Sequence, residues 1–214
     1  ETADNGMKLR CSLNGTWKFS YAECPKLRHA DFYQETYDIS SFDTIQVPGH
    51  IQLQGYDTCH YVNTMYPWDG WEELRPPHIS KTYNPVGSYV KEFLVPDGWD
   101  GRRIFVSFQG VETALYVWCN GQFIGYGEDS FTPSEFELTS CLKRGTNRLA
   151  VEVYKRSSAS WIEDQDFFRF SGIFRDVYLY AVPDVHIADL FVKAGLREDR
   201  NTGTLETEMQ ISVS

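Results

Sequence analysis

The stretch SWIEDQDFFRFSGIFRDVYLY, residues 160–180, sets Glu163, Asp164, Gln165 and Asp166 against a run of aromatic residues. Carboxylates in such a setting can accept hydrogen bonds from hydroxyl groups, hold a cation or do acid–base work. Glu163 and Asp166 invite comparison with the acid and nucleophile of a glycoside hydrolase. A retaining enzyme holds that pair about 5–5.5 Å apart across the scissile bond. One contiguous E-D-Q-D run supplies no opposed faces, so it is not a complete catalytic pair, and its default reading is a solvated turn. Asp57, Cys59 and His60 in YDTCHY form a second cluster. Adjacent residues on an extended chain point to opposite sides and no third orienting group is evident, which argues against a Cys/His nucleophile. There is no Gly-rich phosphate loop, Rossmann fingerprint or G-x-S-x-G elbow. Cys11, Cys24, Cys59, Cys119 and Cys141 are scattered singly, as are His29, His50, His60, His78 and His186. That dispersion fits no zinc spacing and no disulfide framework, so the thiols are expected to be free and buried.

The elements that must position these residues are strands. RRIFVSF places Ile104, Val106 and Phe108 on one face, and NRLAVEVY does the same with Leu149, Val151 and Val153. ALYVWCNGQFIGYG is two such runs around Asn120-Gly121, a strong hairpin signal. GSYVKEFLV, SEFELTS and FRDVYLYAV add further strands, and no segment carries a long helical apolar stripe. Many short strands separated by turn signals predict an all-β fold, an antiparallel jelly-roll sandwich. Residues 61–87 break the pattern: Pro67, Pro76, Pro77 and Pro85 interrupt them and no alternation is sustained. Long irregular segments in compact domains tend to be functional; the alternative is a loop packed by its own aromatics, Trp68 and Trp71 among them. After Pro183-Asp184 come two fresh strand-like runs. Two strands cannot bury a core alone, so residues 1–183 read as one jelly-roll domain and 184–214 as the first strands of a truncated immunoglobulin-like domain, in a chain cut from a longer protein.

Composition bounds the function. The 214 residues are 42% hydrophobic and 15% aromatic with a net charge of −10. This suits a globular domain with a real core and argues against nucleic acid or an anionic membrane as partner. No apolar run is long enough for a transmembrane helix. The cysteines fit a reducing bacterial cytoplasm, whereas a leader removed before Glu1 would fit a periplasm or cell surface; the residues leave both open.

LNGTWKF (13–19), VPGHIQLQGYD (47–57), YVNTMYP (61–67), NPVGSYVKEF (84–93), GVETALYVWCNGQFIGYGEDSFTPSEFEL (110–138) and NRLAVEVYKRSSASWIEDQDFFRFSGIFRDVYL (147–179) occur in that order. Together they resemble the N-terminal portion of the glycoside hydrolase family 2 β-galactosidases, the lactose-cleaving type. The resemblance implies a galactose-binding-like jelly roll, followed in the whole enzyme by immunoglobulin-like domains and a (β/α)8 barrel carrying the catalytic glutamates, and a homo-oligomeric parent. It implies that this portion has no catalytic residue and lends two to the galactose site: Asn63 of Y-x-N-x-x-Y-P and Asp166 of E-D-Q-D. It further implies that Asp166 ligates sodium beside the sugar and that the magnesium ligands lie outside this chain. An amide both donates to and accepts from sugar hydroxyls, and a carboxylate accepts strongly. Glu163, Asp164, Gln165 and Arg175 are expected to be structural, Arg175 pairing with an acid in the sandwich, while Trp68 and Trp71 are candidate sugar platforms. Two alternatives stand beside this reading: a free-standing carbohydrate-binding module, and a sister glycosidase acting on glucuronides or mannosides.

Overall fold

The computed structural model describes residues 9–163 and 165–213, so Asp164 lies outside the described residues. Regular structure is strand apart from short 3-10 turns. The strands are β1 (Arg10–Ser12), β2 (Gly15–Ala22), β3 (Asp43–Val47), β4 (Tyr61–Val62), β5 (Val86–Phe93), β6 (Arg103–Phe108), β7 (Val111–Glu112) and β8 (Ala114–Cys119). There follow β9 (Gln122–Glu128), β10 (Ser134–Glu137), β11 (Asn147–Tyr154), β12 (Phe167–Phe168), β13 (Gly172–Ile173), β14 (Val177–Val182), β15 (Val185–Leu196) and β16 (Gly203–Val213).

Two antiparallel sheets make the sandwich. One has the order β1-β14-β6-β10 and the other β3-β2-β5-β11-β8-β9. The expected jelly roll is thus an all-β sandwich, and alternation explains why it closes. Val106 and Phe108 of β6 and Val177 and Leu179 of β14 are buried from one sheet; Trp17, Phe19, Tyr89, Leu115, Val117, Leu149, Val151 and Val153 are buried from the other. At about 25 cal/mol per Å² of apolar surface removed from water, this contiguous cluster is the main stabilising term. Trp17 keeps its indole N–H satisfied by donating to the Leu13 carbonyl at 2.9 Å.

The β8–β9 turn forms at Asn120-Gly121, with φ 48° and 79°, the left-handed pair that a two-residue type I′ turn demands. Asn120 then does a second job. Its amide donates to the Cys141 carbonyl at 2.9 Å and to Asn147 Oδ1 at 2.7 Å, tying the hairpin tip to the sandwich edge. β11 is buried on both faces, which alternation alone did not predict. Its other face lies under the loop carrying Phe32 and Phe42, where Ala150 is buried and the buried Glu152 pairs with Arg28 Nε at 2.8 Å. All five cysteines are free, but Cys119 and Cys141 alone are fully buried and Cys59 is exposed. β15 and β16 form a long hairpin that pairs, among the described residues, only with itself.

Candidate functional site

Residues 61–87 are irregular as expected, except at their two ends. The chain enters through β4, which pairs with β12 in the register Phe167↔Val62 and Phe168↔Tyr61. Asn63 and Asp166 lie one residue beyond the paired positions, each in a bend. Directly opposite residues of an antiparallel pair share a face, so Tyr61 lies beside Phe168. The diagonal contact confirms the face: Tyr61 Oη donates a hydrogen bond to Asp166 Oδ1, a diagonal that aromatic side chains can span. That bond, ahead of any burial, pushes the Tyr61 phenol up from its ordinary pKa. Tyr61 and Asp166, far apart in sequence, therefore meet at the end of this ladder, and Asn63 lies in the bend that follows β4. Asn63 Oδ1 accepts from the Thr64 N–H at 2.7 Å, which orients the side-chain amide and leaves its N–H2 group to act as donor. Tyr61 and Phe168 put two partly exposed rings, with centroids 5.5 Å apart, beside the polar pair.

What holds this ladder is Arg169. It is buried, and its backbone N–H donates to the His60 carbonyl at 2.6 Å. Its guanidinium donates to the Glu163 carbonyl at 2.7 Å and the Gln165 carbonyl at 2.9 Å, and stacks on Phe167 at 4.4 Å. Sequence reasoning passed over Arg169 and Tyr61. A signal existed for the first: an arginine inside the apolar run DFFRFSG must find acceptors if it is buried.

Three expectations need correcting. Glu163 is not in a solvated turn. Its carboxylate accepts from the N–H and the hydroxyl of fully buried Ser130, both at 2.7 Å, so it anchors the run from below. Among the described residues Arg175 pairs with no acid; it donates to the Phe131 carbonyl at 2.7 Å. Trp68 is no sugar platform. It is buried, stacked on Tyr66 at 5.7 Å with Trp161 at 4.4 Å on it, and has no free face to offer. Trp71 is 87% exposed and does keep one. Asp57 and Cys59 likewise form no nucleophile site: Asp57 pairs with buried Lys155 while Cys59 faces solvent.

Glu163→Gln should lower stability by about 1 kcal/mol, since the amide keeps one acceptor toward Ser130 and loses a charge-assisted bond. Equilibrium urea unfolding of the two proteins measures it; equal midpoints would remove Glu163 from the scaffold.

The described residues contain no group of three or more His, Cys, Asp and Glu that could hold a metal. A single hard carboxylate such as Asp166 suits a share in a monovalent cation, with further oxygen ligands from elsewhere, and does not suit a divalent site by itself.

Comparison with known proteins agrees with the fold and the motifs. The family described as glycosyl hydrolases family 2, sugar binding domain, matches residues 10–183. A β-galactosidase of Clostridium acetobutylicum is 62% identical over 208 residues, covering 97% of this chain and 23% of that protein. A β-galactosidase large subunit of Leuconostoc lactis is 49% identical, covering 97% of this chain and 35% of that subunit. The chain thus spans a quarter to a third of these relatives. Among solved structures, a β-glucuronidase from an uncultured Clostridium species superposes with a TM-score of 0.70 over 95% of this chain and 34% of its own, at 24% identity, a likeness of fold. From the sandwich, the ordered motifs and these matches together, the chain belongs to the family 2 glycosyl hydrolases, as their sugar-binding domain.

Proposed function

We propose that this chain is the N-terminal, galactoside-contacting part of a β-galactosidase that hydrolyses terminal β-D-galactosides such as lactose. One observation carries the reading: Tyr61 of the exposed β4–β12 ladder donates its hydroxyl to Asp166 beside the Phe168 ring, with Asn63 in the bend that follows β4. Asp166 would accept a sugar hydroxyl and Asn63 would donate to one or accept from one. The Tyr61 hydroxyl fixes the Asp166 carboxylate before the sugar arrives, and the two rings offer apolar surface to the sugar's C–H face. The high identity to β-galactosidases along nearly the whole chain supports galactosides over glucuronides or mannosides.

On the same reading Asp166 holds a share of a sodium ion, with the remaining ligands from sugar hydroxyls, water or the rest of the polypeptide. The catalytic glutamates and the magnesium ligands belong to a following barrel, and the parent is a homo-oligomer. The β15–β16 hairpin, whose Ile187, Leu190, Phe191 and Leu205 are all exposed, is the start of a further β-domain that covers them. The boundary lies near residue 183.

The test begins with the 214 residues themselves. The site described has one carboxylate, and retaining hydrolysis needs two opposed, so no turnover of a chromogenic β-galactoside is expected. A few polar side chains on an open face give little pre-organisation, and galactose should bind more weakly than about 1 mM. The longer polypeptide should hydrolyse the same galactoside. Micromolar galactose binding by the chain alone would favour a free-standing module, and turnover by the chain alone would overturn the division of labour.

A further inference from the structure

Asp166 is the central residue of a tight turn. The Phe167 N–H donates to the Gln165 carbonyl at 2.9 Å, the bond between residues two apart that defines a γ-turn. The same carbonyl accepts from Arg169 Nη2 at 2.9 Å, and Arg169 Nη1 donates to the Glu163 carbonyl at 2.7 Å. One guanidinium therefore holds the backbone at two points leading into the turn. On the opposite strand the Arg169 N–H donates to the His60 carbonyl at 2.6 Å, one residue before Tyr61. A single residue is thus bonded both to the run that carries Asp166 and to the strand that carries Tyr61, whose hydroxyl donates to Asp166 Oδ1.

Arginine suits this place for a physical reason. Its guanidinium presents five N–H donors in a rigid planar fork and can bridge two carbonyls, whereas a lysine ammonium is a point charge on a flexible stem. Arg169 is 5% exposed and its guanidinium lies 4.4 Å from the centre of the Phe167 ring, so it is held from the side as well as by its acceptors. Burial also keeps it away from any ligand on the exposed face. Asp166, in contrast, is exposed, and a carboxylate on an open turn keeps one position only if the backbone beneath it is fixed. Position matters steeply at a reacting centre, where a displacement of about 1 Å can cost on the order of a hundredfold in rate.

We propose that Arg169 is the positioning residue for Asp166: by clamping the Glu163 and Gln165 carbonyls while bonded to the Tyr61 strand, it sets the carboxylate where the Tyr61 hydroxyl, and then the sugar, meets it. The sugar contact rests on the function proposed above; the clamp and the Tyr61–Asp166 bond belong to this chain alone.

Two measurements test it, and they fail separately. In the chain itself, tyrosines replaced by 3-fluorotyrosine report their ionisation by 19F NMR, with Tyr61 assigned from Tyr61→Phe. The bond to Asp166 raises the Tyr61 phenol, and Asp166→Asn should lower it. Arg169→Lys and Arg169→Met should lower it too. Losing the Arg169 charge by itself would move the phenol upward, so a fall in Arg169→Met reports lost positioning. In the longer polypeptide, Arg169→Lys should reduce kcat/KM for a β-galactoside about tenfold, yet less than about twofold when Asp166→Asn is already present, because residues acting through one another are not additive. A Tyr61 titration that stays or rises in the Arg169 variants, or losses that add in the double variant, overturns the inference. So does failure of both Arg169 variants to fold, which would make the arginine part of the framework only. Wild-type kinetics in Asp166→Asn would instead refute the sugar contact, and the Tyr61 titration would still decide the positioning.

Discussion

Asp57→Asn should lower the free energy of unfolding by about 3–5 kcal/mol, the cost of leaving one member of a buried ion pair alone. The Asp57 and Lys155 side chains are 4% and 0% exposed and pair directly. Asp57 Oδ2 also accepts from Gln52 Nε2 at 2.8 Å, and Oδ1 from the Tyr83 hydroxyl at 2.7 Å. Asparagine is the informative replacement because Asp57 has φ 44°, a left-handed conformation that asparagine tolerates well. The backbone is thus unaffected; the charge is lost, and one of the two acceptor oxygens becomes an amide donor facing the donors from Gln52 and Lys155 or from Tyr83. Urea unfolding of Asp57→Asn, Lys155→Met and the double variant forms the cycle. The double variant should recover most of the loss, because removing both charges leaves none stranded. Acid sets the second signature. Burial raises the Asp57 carboxyl, but its bonds to Lys155, Gln52 and Tyr83 outweigh that and hold it below the ordinary range. A carboxyl depressed in the folded state contributes fully above its unfolded value, near 3.9, and loses its contribution as pH falls through the folded one. The gap between wild type and Asp57→Asn should therefore be constant from neutral pH down to about 4 and close below it. A small effect at pH 7, or a double variant no better than the singles, would show that the pair carries little.

In the complete enzyme that we propose, Asp166→Asn should reduce kcat/KM roughly ten- to a hundredfold. A hydrogen bond to a charged acceptor is worth about 1.5–3 kcal/mol, and each decade corresponds to about 1.4 kcal/mol. The substitution keeps shape and removes charge. Asp166 is exposed, and its described hydrogen bond is the one from Tyr61, so thermal stability should change little. Glu163→Gln is unsuitable as the control, because Glu163 anchors the run to Ser130. Gln165→Ala serves instead: its side chain is exposed, and its carbonyl, which holds Arg169, is untouched. Tyr61→Phe should give a smaller loss than Asp166→Asn, since it frees the carboxylate without removing it. Kinetics for Asp166→Asn and Gln165→Ala, with melting curves for both, decide the matter. Wild-type kinetics in Asp166→Asn would refute the sugar contact, and unfolding of that variant would make the acid structural.

The sequence by itself determined the sandwich, because strand periodicity is local: one face of β6 or β11 is readable from alternate residues without knowing the partner strand. It determined the β8–β9 hairpin for the same reason, since Asn120-Gly121 carries its own left-handed geometry. Its ordered motifs also pointed to the family and singled out Asn63 and Asp166. The tertiary structure alone decided that the segments carrying them pair, because the two-strand ladder joining residues 61–62 to 167–168 is too short to leave a pattern. It alone decided what the neighbouring charges do. Glu163, Arg169, Arg175, Asp57 and Lys155 look alike on paper as polar residues near a loop. Whether each is solvated, stapling or paired depends on partners distant in sequence: Ser130 lies 33 residues from Glu163, and Asp57 lies 98 from Lys155. Trp68 and Trp71 show the same limit at close range. Three residues apart in one irregular segment, one is entombed and the other exposed, because packing against Trp161, from the far side of the chain, is specified by the fold and not by the local sequence.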